Sequence, residues 1–434
     1  MRVLIVSAEV WRNDKNGGNV LTNIFRNMDA EFAQIYCNPG IPDNSICNIY
    51  YQMTDGMVIR NLLKRQEIGN AFVINGLKET NNKDTGISSV EQENKRIYSF
   101  FRRYSFEVFH VMKEIAWLVS NWDNDNLKNF ILEFSPDIIF APCYGSHIML
   151  KIDRFVANLT QKPVISYISD DHYTLRQFRC SPVYWINRLV LRKNLKRTFS
   201  SYDLIYTMTD EQREVYEKKL NCKMKILKKS GDFHLEKIKQ DIHNPMKMIY
   251  AGGLYCGRAQ TLMALVEAIK KINSNETKVV LHVYTASELK KDEKLVLDDK
   301  KNSFLHDVVS QDELKRKYAD SDMALHIESF ELQYRLQTRL SFSTKIMDCL
   351  ESGCLTIAIA DSKQAGYRYI KKNRLGICID NVGEIETTLR HIIEHPDVIT
   401  TYSKRTLDFG VKNHSEEQIL AVLENDFKTM IRKE

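Results

Sequence analysis

The sequence lacks long apolar runs, paired cysteines and a strong net charge. No apolar stretch approaches the length of a membrane span, and the apolar part of residues 1–7 is too short for a signal-peptide core. The nine cysteines are scattered singly from Cys37 to Cys378, without a Cys-x-x-Cys pair or a His/Cys cluster at metal spacing. The net charge of +6 is too weak to indicate nucleic acid as a partner. We therefore expect reduced thiols and a cytoplasmic protein.

Two motifs of cofactor sites are also absent. The glycine-containing segment at residues 252–258 is not a Gly-x-Gly-x-x-Gly fingerprint, and no acidic residue follows it at the spacing of a dinucleotide site. No Asp-x-Asp pair lies in the glycine-containing segment at residues 252–258 or in the polar segment at residues 339–353. We therefore expect neither a dinucleotide cofactor nor a metal ion.

What the sequence does contain is an alternation of short apolar strands with helical patterns. Residues 2–8, 246–251, 323–327 and 355–360 are apolar runs of strand length. This alternation predicts the α/β class with doubly wound, parallel sheets. Ligands bind at the carboxyl ends of the strands in such sheets, so two sheets would hold a ligand in a cleft between them.

The chain divides into two parts of similar size. The pattern becomes irregular and polar over residues 231–247, which indicates a domain boundary. We predict a Rossmann-like acceptor domain at residues 1–240 and a Rossmann-like donor domain at residues 241–414. Residues 415–434 carry an apolar stripe and form a predicted helix of their own.

The segment at residues 339–353 combines cations, hydroxyls and a carboxylate at a predicted helix start between two strands. A helix N-terminus binds anions, and arginine suits a bidentate phosphate contact. A carboxylate one turn along the helix could accept both ribose hydroxyls. The alternative interpretation is a plain helix cap with a surface ion pair. The predicted phosphate and ribose ligands are Arg339, Ser343, Thr344, Lys345 and Asp348.

Two glycine turns are further candidates for the donor site. Gly253 and Arg258 follow the strand at 246–251, where glycine lets the backbone approach a ligand and arginine can meet a phosphate. Gly18 lies in the corresponding loop after the first strand, before a helix that Asn19 is predicted to cap. The alternatives are a tight turn with a solvated arginine in the first case and a surface loop in the second.

Acidic and imidazole groups follow two other strands. Asp170, Asp171 and His172 come after the apolar run at 163–168 and could bind sugar hydroxyls or move a proton. Because adjacent side chains diverge, we expect at most one of the two aspartates to be central, and either could instead cap a helix. Glu328 follows the strand at 323–327 and is predicted to reach a donor sugar, unless it is an exposed loop carboxylate.

Two stretches, at residues 95–106 and 184–197, are rich in cations and aromatic residues. The second has cations and apolar groups at helical spacing, which fits a helix lying on an anionic inner membrane face. The alternative is an ordinary amphipathic helix covering the sheet, and for the first stretch this is the stronger interpretation. The cations predicted to meet a membrane are Arg188, Arg192, Lys193, Lys196 and Arg197.

The order of these motifs resembles the GT-B glycosyltransferases, especially family 4, over nearly the whole chain. Residues 203–212 are similar to that family's strand-and-helix segment, and residues 248–258 to its glycine loop with a basic residue. Residues 343–353 are similar to its segment with a lysine, an acidic residue and a glycine. The resemblance implies two Rossmann-like domains facing across a cleft, with a last helix crossing back to the first domain. It also implies a phosphate contact for Arg258 and a ribose contact for Asp348.

The activity that the resemblance implies is transfer of a hexosyl-type sugar from a nucleotide-sugar donor. The implied acceptor is a sugar or a lipid-linked glycan in surface polysaccharide synthesis. Arg258, Arg339 and Lys345 would stabilise the leaving diphosphate without a metal ion, and the reaction would retain the anomeric configuration.

The chain departs from the family pattern at one position. The first of the family's two glutamates would fall at Leu340, so Glu328 or Glu331 would have to take its place. Three other functions stay open. One is a sugar-nucleotide epimerase of the same fold, with Asp170, His172 and Glu328 moving protons. Another is a non-catalytic partner subunit. The third is a membrane or polyanion binding module that depends on Arg192, Lys193, Lys196 and Arg197.

Overall fold

Parallel strands form the centre of both halves of the chain. The computed structural model describes residues 1–13, 16–74 and 106–432, with side chains for all of these except 16–19 and 106–110. The first sheet has the order β4-β3-β2-β1-β5-β6-β7-β8, and only β3 and β4 pair antiparallel. Its strands are β1 (Arg2–Ser7), β2 (Glu31–Tyr36), β3 (Ile49–Gln52), β4 (Asn70–Val73), β5 (Ile138–Pro142), β6 (Val164–Ile168), β7 (Leu204–Thr207) and β8 (Met224–Ile226).

Helices connect these strands, and several begin where the sequence offers a capping hydroxyl. The side chain of Thr209 accepts a hydrogen bond from the Gln212 amide, as its capping sequence predicts. The helices are α1 (Asn16–Phe25), α2 (Asp55–Lys64), α3 (Phe106–Val119), α4 (Asp125–Phe134), α5 (His147–Thr160), α6 (Pro182–Phe199) and α7 (Asp210–Leu220).

The glycines after β1 do not form the predicted loop. Helix α1 begins at Asn16, so Gly18 lies inside its first turn and Asn19 does not precede the helix. The expected glycine loop at this strand end was therefore wrong. Glycine is permissive near a helix start, where the backbone amides have no intrahelical partner and packing decides where the helix begins.

The second sheet has six strands, all parallel, in the order β11-β10-β9-β12-β13-β14. The strand order reverses between β9 and β12, and such a switch point is where doubly wound sheets bind ligands. Residues 246–251 and 323–327 form strands with the predicted bounds. The strands are β9 (Met246–Ala251), β10 (Val279–Tyr284), β11 (Ser303–His306), β12 (Met323–Ile327), β13 (Leu355–Ile359) and β14 (Gly376–Ile379).

Helices of the second half cover a core in which strands β12 and β13 are buried along their whole length. Strands covered on both faces need continuous apolar runs, which is the pattern the sequence shows. These sheets confirm the predicted α/β class with two doubly wound parallel sheets. The helices are α8 (Arg258–Ile272), α9 (Lys291–Leu297), α10 (Gln311–Ala319), α11 (Leu332–Thr338), α12 (Lys345–Glu351), α13 (Ala365–Asn373), α14 (Ile385–Glu394), α15 (Asp397–Asn413) and α16 (Glu416–Ile431).

The residues group into two compact units. The first holds Met1–Leu175, Arg179–Leu227 and Leu420–Glu434, and the second holds Arg176–Phe178 and Lys228–Ile419. The first unit thus ends earlier than the predicted boundary at residue 240. The segment after Lys228 belongs to the second unit because its backbone is bonded there, for example from the Gly231 amide to the His414 carbonyl at 3.2 Å.

The last helix, α16, supplies core residues to the first unit. Phe427 is fully buried, with its ring centroid 6.2 Å from that of Phe25 and 6.3 Å from that of Phe140. The Tyr206 hydroxyl donates to the Asp426 carboxylate at 2.7 Å. Val422, which the apolar stripe predicts to be buried, is exposed.

The described helices include none that is long and apolar enough to cross a membrane. The basic and aromatic stretch at residues 95–106 lies almost entirely outside the described residues, so its predicted helix is not tested.

Candidate functional site

The loop between β9 and α8 approaches the start of α12 very closely. Gly252 has φ +151°, and a Cβ atom added there would lie 2.0 Å from Lys345 Nζ. Gly257 has φ +73° and immediately precedes Arg258, the first residue of α8. Glycine is required at these two positions, because other residues rarely adopt such φ values and Gly252 leaves room for the lysine. The loop therefore brings Arg258 and Lys345 to the same strand end.

Arg258 forms a bidentate ion pair with Glu328, which follows β12. Its Nε lies 3.2 Å from Oε2 and its Nη2 lies 2.8 Å from Oε1 of the glutamate. Both side chains are nearly buried, at 11% and 8% exposure. Burial acts to lower the pKa of Arg258, but the Glu328 carboxylate outweighs it and raises that pKa above its ordinary value. The pair is thus a fixed, charged element and not a solvated arginine beside a loop carboxylate.

One nitrogen of this guanidinium is left over. Arg258 Nη1 is buried and has no hydrogen-bond partner among the residues that the structure describes. The Tyr255 ring covers the guanidinium, with 5.0 Å between its centroid and the Arg258 Cζ atom. A buried N–H group without an acceptor costs free energy, and a bound anion would supply the missing acceptor. Such a group at the end of a strand therefore indicates an anion site.

Lys345 is the second cation at this strand end. Burial and then the Arg258 charge lower its pKa from 10.5 to about 8. Its ammonium lies 6.0 Å from the centroid of the Tyr250 ring. A lysine with a lowered pKa beside a buried arginine gains an opposing charge when an anion binds, which is a physical reason for a ligand here.

The helix start at Lys345 differs from the sequence prediction in its capping. Helix α12 has only seven residues, and its N-cap Thr344 is in a right-handed helical conformation without a side-chain capping bond. The Ser343 carbonyl accepts a 3.0 Å bond from the Ile346 amide instead. The alternative interpretation of a plain helix cap is therefore not supported at Thr344, because the chain enters the helix through a tight turn. Both hydroxyl residues are half-buried.

Asp348 lies one turn after Lys345 and pairs with a residue that the sequence did not suggest. Lys229 Nζ is 3.3 Å from Asp348 Oδ1 and 3.4 Å from the Thr344 carbonyl oxygen. The aspartate side chain is 37% exposed, so solvent reaches it. The alternative interpretation expected a surface ion pair with Lys345, and the structure shows an ion pair with Lys229. The predicted contact of Asp348 with a ribose stays a prediction.

The remaining donor-site candidates, Arg339 and Gly253, form hydrogen bonds through their backbone carbonyls. The Arg339 carbonyl at the end of α11 accepts a 3.0 Å bond from the Ala365 amide. The Gly253 carbonyl accepts a 2.8 Å bond from the Tyr250 hydroxyl. Leu340 is buried at 1% exposure, where an ionised glutamate would be costly, and this explains an apolar residue at that position.

The acidic cluster of the first unit is held by the protein itself. The Asp171 carboxylate accepts hydrogen bonds from the Thr174 amide at 2.9 Å, from the Tyr216 hydroxyl at 3.1 Å and from the Thr174 hydroxyl. Arg188 donates to the Asp171 carbonyl at 2.8 Å. Asp171 is therefore a buried turn residue that holds its own loop, and it does not cap the next helix, whose N-cap is Ser181. Asp170 is exposed, and burial lowers the pKa of the neighbouring His172.

Helix α6 turns two of its predicted membrane cations inward. Arg188 is buried and donates to the Thr174 carbonyl, and the Arg192 guanidinium lies 4.6 Å from the Tyr173 ring centroid. These two residues are not placed to meet a membrane, because the loop after β6 engages them. Three cations of the helix stay exposed, Lys193, Lys196 and Arg197.

Sequence reasoning missed two residues at the second strand end. His326 in β12 is buried, and burial lowers its pKa to about 4, so its imidazole is neutral beside Glu328. Tyr255, which covers Arg258, lies shortly after a pair of glycines, and nothing in the sequence around it indicates a contact with the arginine. His326 could have been noticed, because a histidine inside an otherwise apolar strand is unusual.

Metal ligation has no visible candidate in this region. Across residues 1–13, 16–74 and 106–432, no three His, Cys, Asp or Glu side chains gather as the ligands of a metal ion would.

Known structures resemble this chain over its full length. The E. coli trehalose-6-phosphate synthase bound with UDP-2-fluoro glucose is 10% identical, with a TM-score of 0.62 and 99% of both chains covered. The sucrose-phosphate synthase of Thermosynechococcus elongatus is 10% identical, with a TM-score of 0.62 and both chains fully covered. Anabaena HepE in complex with UDP is 10% identical, with a TM-score of 0.60, covering 99% of this chain and 100% of that one.

At this identity the likeness shows the fold alone, which is the GT-B fold of two Rossmann-like domains. It does not point to family 4 within that fold. No protein-family model and no curated protein sequence matches the chain.

Proposed function

We propose that the chain is a glycosyltransferase that takes a sugar from a nucleotide-sugar donor. The observation that carries this proposal is the buried Arg258, whose Nη1 has no partner among the described residues, beside Lys345 at the β9–β12 strand ends. Two cations at that place suit the diphosphate of a donor, since ligands of doubly wound sheets bind where the strand order reverses. Two of the similar structures contain UDP or a UDP sugar, which supports UDP as the first nucleotide to test.

The reaction needs charge stabilisation more than proton transfer at this site. As the bond from the sugar to the diphosphate breaks, negative charge grows on the leaving phosphate, and fixed cations stabilise it. Arg258 and Lys345 would supply this stabilisation without a metal ion. Asp348 would accept the ribose hydroxyls, and Gly253, Arg339, Ser343 and Thr344 would line the donor.

The acceptor and the stereochemistry belong to the finer part of the proposal. We propose a sugar or lipid-linked glycan acceptor in surface polysaccharide synthesis, and transfer of a hexosyl group with retention. Asp170 and His172 in the first unit are the proposed acceptor-side groups, and Gly18 near the start of α1 stays a proposed donor contact. Asp171 supports them only through the loop it holds, because its carboxylate is used by Thr174 and Tyr216.

A thermal-shift series with UDP, GDP, dTDP, CMP and ADP tests the donor site. Binding to the folded state raises the unfolding temperature, and the expected result is a shift with at least one nucleoside diphosphate. Lys345→Ala should abolish that shift, with exposed Lys372→Ala as the matched control. Absence of a shift with all five nucleotides, or a full shift in Lys345→Ala, overturns the proposal.

An epimerase of the same fold is the rival enzyme. It needs free proton-transfer groups, whereas Glu328, one of the three groups considered for it, is paired with Arg258. These contacts favour transfer over epimerisation. Conversion of a UDP-sugar into its epimer without any acceptor would show that the protein is an epimerase. Nucleotide binding without either reaction would indicate a non-catalytic partner subunit.

We further propose that α6 contacts an anionic membrane face, with the protein otherwise in the cytoplasm. Three exposed cations of this helix, Lys193, Lys196 and Arg197, stand beside exposed apolar side chains. Flotation with vesicles containing anionic lipid should recover the protein, and vesicles of neutral lipid should not. Replacing the three cations by Gln should abolish recovery, whereas Lys218→Gln with Lys219→Gln on α7 should not. The exposed apolar side chains are Val183, Ile186, Leu189 and Val190.

A further inference from the structure

Glu328 sits where the sequence predicts a contact to the donor sugar, yet its carboxylate is already engaged. Both of its oxygens bind Arg258, at 2.8 Å and 3.2 Å. A carboxylate that holds a guanidinium in this two-bond fork fixes its plane as well as its position. The arrangement therefore bears on the orientation of Arg258 more directly than on a sugar.

The backbone of Glu328 is held as firmly as its side chain. Its amide donates to the Ile359 carbonyl at 3.0 Å, and its carbonyl accepts from the Thr261 hydroxyl at 3.0 Å. The neighbouring Ser329 lies so close to Gly257 that an added Cβ there would be 2.4 Å from its Oγ. Strand β13, helix α8 and the glycine turn thus all fix the residue that fixes Arg258.

The fork uses two of the three guanidinium nitrogens and spares the third. Nε and Nη2 of Arg258 bind Glu328, and Nη1 is the buried nitrogen without a partner in the described chain. Rotation of the guanidinium would break both bonds to the glutamate. Nη1 is therefore held in one orientation, beside a lysine whose pKa the Arg258 charge lowers.

We propose that Glu328 is a positioning residue that aims Arg258 Nη1 at the phosphate of the donor and makes no contact with the donor sugar. This inference rests on the proposed function and assigns Glu328 a role different from the one its sequence position suggests. An arginine whose guanidinium is already held in place has less conformational entropy to lose when the anion binds. Loss of the Glu328 carboxylate should therefore weaken binding of any diphosphate, with or without a sugar.

Two variants of Glu328 distinguish the effect of its negative charge from the effect of its side-chain geometry. Glu328→Gln keeps the shape and removes the negative charge, whereas Glu328→Asp keeps the charge and shortens the side chain so that the two-bond fork cannot close. We expect each to weaken binding of UDP and of inorganic pyrophosphate by about tenfold, the loss of roughly one charge-assisted hydrogen bond. Glu276→Gln, at an exposed loop carboxylate of the same unit, is the control and should bind as the wild type does.

Isothermal titration with UDP, pyrophosphate and UDP-glucose gives distinct outcomes. If Glu328 acts only as a counter-charge, Glu328→Gln binds pyrophosphate more tightly and Glu328→Asp is unchanged, which overturns the inference. If Glu328 touches the sugar, only UDP-glucose binding weakens, which also overturns it. If both variants bind the three ligands as tightly as the wild type does, the inference about Glu328 is overturned and the proposed function stands. If the wild type itself binds none of the three ligands, both the inference and the proposed function are overturned. Circular dichroism and urea unfolding of each variant confirm that it is folded.

Discussion

The two sheets end in similar polar residues and use them in opposite ways. In the first unit, the Asp171 carboxylate receives hydrogen bonds from Thr174 and Tyr216 and stabilises its own loop. In the second unit, Arg258 binds Glu328 and still keeps a buried nitrogen that no residue in the described part of the chain engages. A polar group that the protein itself satisfies is structural, and one left with unused bonding capacity at a strand end is a candidate for a ligand.

The largest expected effect comes from removing the guanidinium. Arg258→Ala leaves the Glu328 carboxylate buried without its counter-charge, and this should lower the free energy of unfolding by about 3–5 kcal/mol. Urea denaturation of the variant and the wild type measures it. Arg258→Met combined with Glu328→Gln should recover most of the loss, since no buried charge then remains. An unchanged unfolding curve in Arg258→Ala would show that the pair is solvated and would break the comparison.

Removing the carboxylate of the first unit should affect stability without affecting binding. Asp171→Ala leaves the Tyr216 and Thr174 donors unsatisfied, so the free energy of unfolding should fall by about 2–3 kcal/mol. The dissociation constant for UDP should equal that of the wild type. Asp170→Ala, at an exposed carboxylate, controls for the stability effect. If Asp171→Ala abolished UDP binding while the protein kept its stability, the two strand ends would have the same role.

Asp348 separates ribose recognition from phosphate recognition. Asp348→Asn should weaken UDP binding by about 1.5–3 kcal/mol, the range of a hydrogen bond to a charged group, because the amide accepts less strongly than the carboxylate. Inorganic pyrophosphate, which has no ribose, should bind with unchanged affinity. Lys345→Ala should weaken both ligands. Equal losses for UDP and pyrophosphate in Asp348→Asn would assign the aspartate to the phosphate side, through Lys229.

The smallest predicted effect is a pH dependence. The pKa of Lys345 is lowered to about 8 in the free protein, and a bound diphosphate raises it again by favouring the ammonium. Above pH 8 binding must therefore take up a proton, so affinity should fall by up to about tenfold, or 1.4 kcal/mol, for each pH unit. Below pH 8 this lysine contributes no pH dependence. Lys345→Arg, which stays charged, should flatten the profile between pH 7.5 and 9.5, and an equal slope in both proteins would contradict the prediction.

The sequence predicted those features that depend on neighbouring residues. Strands 246–251 and 323–327 could be placed from their apolar runs, and the cap at Thr209 from a hydroxyl three residues before an amide side chain. Arg258 and Lys345 could be singled out because each follows or precedes such a strand. Local periodicity is sufficient for these assignments because strand burial and helix capping act over a few residues.

The partners of the site residues could not be predicted in the same way. Arg258 and Glu328 are separated by 70 residues, and Lys229 and Asp348 by 119, so only the assembled sheet brings them together. Asp171 looked equivalent to a catalytic aspartate because nothing in its neighbourhood of the sequence reveals Tyr216. Hydrogen-bond saturation is a property of the folded chain, and for that reason it distinguishes sites that residue patterns do not.

The position of α16 has a consequence for how the protein is made. Phe427 and Asp426 complete the core around Phe25, Phe140 and Tyr206, although translation delivers them about two hundred residues after β7. Domains generally fold as units during synthesis, beginning with the one nearest the amino terminus. Here the ribosome finishes the second unit before it releases the helix that closes the first. The earliest-made half of this chain is therefore the last to be complete, and it is the half that would depend on chaperones while the rest emerges.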